Sequence, residues 1–119
     1  VDLPRFEADV ALIKKKEEGL ALAQALGPHF ALLIANHGTL FCGTSVAHAI
    51  CIGVFLERAC RSHVLGSSAG FKYTMPSRAI REKRKSEMMT SVHVEHTWSF
   101  LNRKLDALTA AQGTPILYR

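Results

Sequence analysis

The sequence predicts a mixed α/β domain, and three observations predict it. His29-Phe30-Ala31-Leu32-Leu33-Ile34-Ala35 is an apolar run of strand length with no polar alternate face, which reads as an interior strand covered on both sides. Asn36-His37-Gly38 follows with two residue types that tolerate positive φ, and Thr39-Leu40-Phe41-Cys42 then resumes strand character, so a hairpin with His37 at its turn is expected. Long helical patterns stand after the hairpin, and a looser one before it. The 119 residues are enough for one small domain, and 1–119 is read as a single unit without linker or internal repeat.

The elements follow in chain order. From Phe6 to Leu26 the apolar positions Phe6, Val10, Ile13, Leu20 and Leu26 keep helical spacing only loosely. Lys14 to Glu18 read as a solvated turn, and Gly19 as a point where the segment splits into two short helices. Gly27-Pro28 is a stop, because glycine supplies a left-handed C-cap and proline cannot continue a helix. After the hairpin, Thr44 or Ser45 can cap a helix from Val46 to about Leu65 that is apolar nearly all round until Glu57, and such a helix is expected to be central. Gly66 to Gly70 should end it. Thr74-Met75-Pro76 is read as the start of the next helix, with Thr74 as cap. In the last helix Val94, Trp98, Leu101, Leu105 and Leu108 recur at steps of four and three and form one narrow stripe that needs a partner. Gly113 to Arg119 reads as an extended tail.

Composition narrows the function classes. Lys and Arg number 15 against 10 Asp and Glu, for a net charge of +5, and 48% of residues are hydrophobic, which excludes disorder, collagen-like repeats and a disulfide-dense miniprotein. No window reaches the roughly 20 apolar residues of a membrane helix. Val1 and the run after it show neither a basic leader nor an apolar signal core, so no targeting segment is expected. Three cysteines, Cys42, Cys51 and Cys60, are an odd number without C-x-x-C spacing and suit free, buried thiols in a reducing, cytoplasmic compartment.

His37 is the sharpest candidate residue, since a histidine at a strand-end turn can present a ring nitrogen to a metal or substrate. His93 and His96 stand three apart on one helical face, but no third donor stands at the next turn, and a solvated face is the reading. His48 interrupts an apolar helix and reads as a hydrogen-bonded core histidine, whereas His29 and His63 carry no pattern. At least one charge of Glu57-Arg58 is expected to need a partner, with a structural ion pair as the default and catalysis by Glu57 as the minority reading. The basic run Arg78 to Lys85 lacks interleaved aromatics or a groove-reading motif, so a solvated or subunit-contacting helix is expected and no nucleic acid or membrane partner.

Taken together, Ala31 to Gly38, Gly43, Ala49 and Leu56-Glu57-Arg58-Ala59-Cys60 resemble the class II aldolase/adducin family, in which a strand ends in N-H-G and a helix with an L-E-x-A-C stretch follows. Leu65 to Gly70, Trp98 with Leu101, Arg103-Lys104-Leu105-Asp106, and Gly113 with Tyr118-Arg119 are similar to the end of its adducin-like branch. The resemblance runs from about Pro28 onward. It implies an α/β/α layered fold around a mostly antiparallel central sheet, and a homotetramer with active sites between subunits. In the family's enzymes three histidines hold a divalent metal, typically Zn2+, which polarises a carbonyl during reversible aldol cleavage. His37 matches the third of those ligands.

The first two family ligands arrive on an upstream H-x-H motif, with an acidic residue that moves protons. This chain has no H-x-H, and His48, His93 and His96 follow His37 in chain order. The resemblance is therefore to roughly the C-terminal half of a family member, with no assignable catalytic acid or base. Two functions follow. One is the C-terminal part of a class II aldolase-like, zinc-dependent carbon–carbon lyase acting on a small carbonyl or sugar-phosphate substrate, inactive as this piece alone. The other is a noncatalytic adducin-like domain for oligomerisation or cytoskeletal contact. The chain ends at Tyr118-Arg119 without the long basic tail of cytoskeletal adducins, which favours the first.

Overall fold

A computed structural model describes residues 3–8 and 12–112. Val10 and the tail from Gly113 onward, both read above, lie outside the described residues. The elements are β1 (Arg5–Phe6), α1 (Lys16–Leu26), β2 (Ala31–Ile34), β3 (Gly38–Phe41), α2 (Val46–Ser68), α3 (Arg78–Met88) and α4 (Ser91–Gln112). The fold is mixed α/β.

The expected interior strand is present and holds the core. Ala31, Leu32 and Ile34 are buried, Leu32 completely, because β2 lies between β1 and β3 in a three-stranded sheet. It pairs antiparallel with β3, Ala31 opposite Phe41 and Ile34 opposite Gly38. On its other edge β1 pairs parallel, Arg5 opposite Leu33 and Phe6 opposite Ile34. One neighbour is thus parallel and one antiparallel among the described residues.

Alternation along β2 divides the helices. Leu32 and Ile34 join Leu22 of α1 in one cluster, with Phe6, Ala25, Leu26 and Leu40 packed around it. Ala31 has the opposite parity and pairs with Phe41, whose ring lies where a side chain on Gly53 of α2 would stand, 2.8 Å from an added Cβ. The hairpin therefore receives α1 and α2 against residues of opposite parity.

Several boundaries differ from the expectations. Phe6 belongs to a strand. Lys16, Glu17 and Glu18 lie in the first turn of one uninterrupted α1 that runs through Gly19, instead of forming a solvated turn. The reason is Glu18, whose carboxylate reaches back to accept the N–H groups of Lys14 at 2.8 Å and Lys15 at 3.0 Å. This satisfies donors that a helix start leaves open and holds the Glu18 carboxyl below its ordinary pKa.

Ser45 caps α2, its side chain accepting the N–H of His48. Helix α2 continues past the expected stop, through Gly66 to Ser68, and the Tyr73 ring packs over Gly66, where a larger residue would collide with its hydroxyl. The same hydroxyl meets Ser67 Oγ at 3.2 Å, and the Tyr73 ring stacks on His63 with centroids 4.7 Å apart. The next helix begins later than expected. Ser77, not Thr74, caps α3 by accepting the N–H of Ile80, which leaves Pro76 just ahead of the cap. Helix α2 touches the sheet and α4, but Val46, Val64 and Leu65 are exposed, so it is apolar without being enclosed. On α4, Val94, Trp98 and Leu101 are half-buried, while Leu105 and Leu108 of the same stripe are exposed.

Candidate functional site

The turn that carries His37 is built by its two neighbours. Ile34 closes it by accepting the His37 N–H at 3.2 Å, and the chain reverses because Asn36 adopts φ 55° and Gly38 φ 157°. Asparagine is one of the few non-glycine residues that enter the left-handed region without large cost. His37 is exposed at the end of β2, as the N-H-G spacing predicts. Beside it lies an open hollow of about 270 Å³ lined by Arg5, Leu33, Asn36, His37 and Gly38, among others. Arg5 reaches this place because β1 runs parallel to β2 and sets it opposite Leu33. Its Nε holds Glu7 at 2.9 Å. No motif in the sequence points to Arg5, since a two-residue strand has no periodicity to read.

His37 supplies one imidazole. Among the described residues no group of three or more His, Cys, Asp or Glu side chains is placed to hold a metal ion, and metal sites use roughly three or four protein donors. The described residues alone therefore do not fit a metal. His93 and His96 are exposed on α4, as a solvated face requires, and neither they nor His48 line the hollow at His37.

His48 is the core histidine that the sequence suggests. It is buried and lies edge-on to Phe30, with ring centroids 4.8 Å apart. Its Nδ1 accepts the backbone N–H of Thr44, so the proton of a neutral ring sits on Nε2, and that atom has no partner among the described residues. A larger hollow, about 520 Å³, opens between the start of α2 and the start of α4, with Thr44, His48, Ser91, Glu95 and Trp98 on its walls.

Other expectations are modified. Glu57 and Arg58 are both exposed, so water solvates both charges and neither needs the partner that burial would demand. The thiols are free, but only Cys51 is buried, while Cys42 is half-buried and Cys60 exposed. Cys60 stays exposed because it borders an open hollow between α2 and Thr39 and Phe41 of β3. The basic residues Arg78 to Lys85 do form a largely exposed helix, with Arg78 bonded to Glu82 at 2.7 Å. No helix of the described residues is long and apolar enough to cross a membrane.

A strand, a left-handed turn bearing histidine and a capped helix thus follow one another within a mixed α/β domain. That succession, up to Val64 of α2, falls inside residues 4–64, which match the family described as Class II Aldolase and Adducin N-terminal domain. The chain belongs to this family. Among curated proteins it is similar to the "Putative aldolase class 2 protein PA3430" of Pseudomonas aeruginosa, 33% identical over 98 residues. It is also similar to the "Meiotically up-regulated gene 14 protein" of Schizosaccharomyces pombe, 29% identical over 94 residues. Each match takes in 76% of this chain, yet the chain spans only 37% of either relative's length.

Proposed function

We propose that this chain is the histidine-turn portion of a class II aldolase-like carbon–carbon lyase that depends on a divalent metal and acts on a small carbonyl or sugar-phosphate substrate. The observation that carries the reading is the Asn36-His37-Gly38 turn, which holds an exposed imidazole at a strand end inside the family-matched segment. His37 contributes one ligand, and the remaining ligands and the catalytic acid or base come from residues beyond this chain. A metal bound there would supply Lewis-acid polarisation of a carbonyl. The chain's own part is to fix the imidazole by the turn and to wall one side of the site.

The α/β/α layering and a mostly antiparallel complete sheet belong to the same proposal, supported by α1 and α2 meeting strand residues of opposite parity. So does homotetramer assembly in the cytoplasm. Val64 and Leu65 of α2 and Leu105 and Leu108 of α4 are exposed apolar side chains that a subunit contact would cover. The test is aldol cleavage by the protein together with its upstream segment. Aldehyde release that stops with chelator and returns with zinc supports the lyase. A metal-independent, inactive oligomer would instead support the noncatalytic adducin-like reading.

A further inference from the structure

We infer that Arg5 is an anion-binding residue of the His37 hollow, placed to take an oxyanion group, phosphate or carboxylate, on the molecule that His37 meets. The inference rests on the proposal that the His37 turn borders a substrate site. Four observations carry it. Arg5 and His37 line the same open hollow, large enough at about 270 Å³ for a small substituent. Strand pairing fixes the arginine's backbone, because Leu33 donates its N–H to Pro4 O at 2.9 Å and Ala35 donates to Phe6 O at 2.9 Å, on either side of Arg5.

Glu7 meets the guanidinium at Nε, 2.9 Å away, and the Arg5 side chain is otherwise largely exposed, so its terminal amino groups are accessible to a ligand. Those groups form the planar fork that matches two oxygens of a phosphate or carboxylate. The remaining wall of the hollow, Leu33, Ile34, Ala35, Asn36 and Gly38, carries no carboxylate that would repel an anion. Glu7 itself lowers the net charge, yet it also orients the fork, so what Arg5 offers is directional hydrogen bonding more than bare charge.

The experiment uses the protein with its upstream segment, stripped of metal by chelator, so that its outcome is independent of whether His37 binds a metal. Inorganic phosphate and acetate are titrated separately by calorimetry into wild type, Arg5→Gln, Arg5→Lys and, as a control for general positive charge, Lys14→Gln. At least one of the two anions is expected to bind wild type, with affinity reduced about tenfold or more in Arg5→Gln. Arg5→Lys should fall between them, because lysine keeps charge without the fork, and Lys14→Gln should stay within about twofold of wild type. A preference for phosphate over acetate, or the reverse, identifies the group. A second measurement locates the site: the bound anion should slow phenylglyoxal modification of Arg5 and leave that of exposed Arg84 unchanged. Absence of binding by both anions, equal affinity in wild type and Arg5→Gln, or equal protection of Arg5 and Arg84 would overturn the inference.

Discussion

Thr44 donates its backbone N–H to His48 Nδ1 at 3.2 Å, and the Thr44 hydroxyl lies 3.1 Å from the same nitrogen. An N–H can only donate, so the ring is held as the tautomer with its proton on Nε2, which is buried and without a partner among the described residues. A buried donor of this kind costs stability, about 1–3 kcal/mol. His48→Leu removes it and frees the N–H and the hydroxyl of Thr44, a residue exposed to water that can satisfy both. Urea unfolding of this variant is therefore expected within about 1 kcal/mol of wild type. A loss well beyond that would mean that Nε2 is satisfied in the assembled protein.

Asn36 controls where His37 points. With φ at 55°, Asn36→Ala places a side chain without local hydrogen bonding in the left-handed region, at a cost of roughly 1–2 kcal/mol. Asn36→Gly should cost less, since glycine reaches that φ freely. Denaturant midpoints of the two variants check this order, and alanine proving as stable as glycine would contradict the turn.

Gly43 is required by close approach. A Cβ added there would lie 2.5 Å from the backbone nitrogen of Ala49, inside the first turns of α2, and backbone cannot swing aside as a side chain can. Gly43→Ala should lower stability by about 1–3 kcal/mol, as overpacking does. An unchanged unfolding midpoint would show that the loop entering α2 sits farther from the helix.

The three thiols should differ in reactivity. Cys51 is completely buried, its Sγ lies 3.6 Å from Val94 O, and burial raises its pKa. A raised pKa leaves less thiolate at neutral pH, so alkylation of Cys51 should accelerate only at higher pH or on unfolding. Exposed Cys60 should be labelled first by iodoacetamide at neutral pH, as read by peptide mass spectrometry. Cys51 labelling as fast as Cys60 would contradict the packing of α2 against α4.

How much of this was legible in the sequence depends on the range of the signal. The β2–β3 hairpin and His37 were readable because every cue is local: an unbroken apolar run, then asparagine and glycine at the reversal. Strand β1 was not, because Arg5 and Phe6 are ordered by a parallel partner 28 residues away. Nor was the start of α1, where the cap signal is a carboxylate reaching backward from Glu18 past lysines that carry no capping oxygen. Helix α2 overran Gly66 because Tyr73, seven residues later, covers it. Of the site, His37 was visible by motif, whereas Arg5 enters only through that parallel pairing.

Metal content tests the lyase reading most directly. The protein with its upstream segment is purified as wild type and as His37→Ala, loaded with zinc, dialysed, and its bound metal determined by elemental analysis, with circular dichroism confirming that both are folded. Stoichiometric zinc is expected in wild type and at least a tenfold weaker hold in His37→Ala, since a site that loses one of roughly three protein donors binds poorly. Equal zinc in the two folded proteins would contradict the lyase reading.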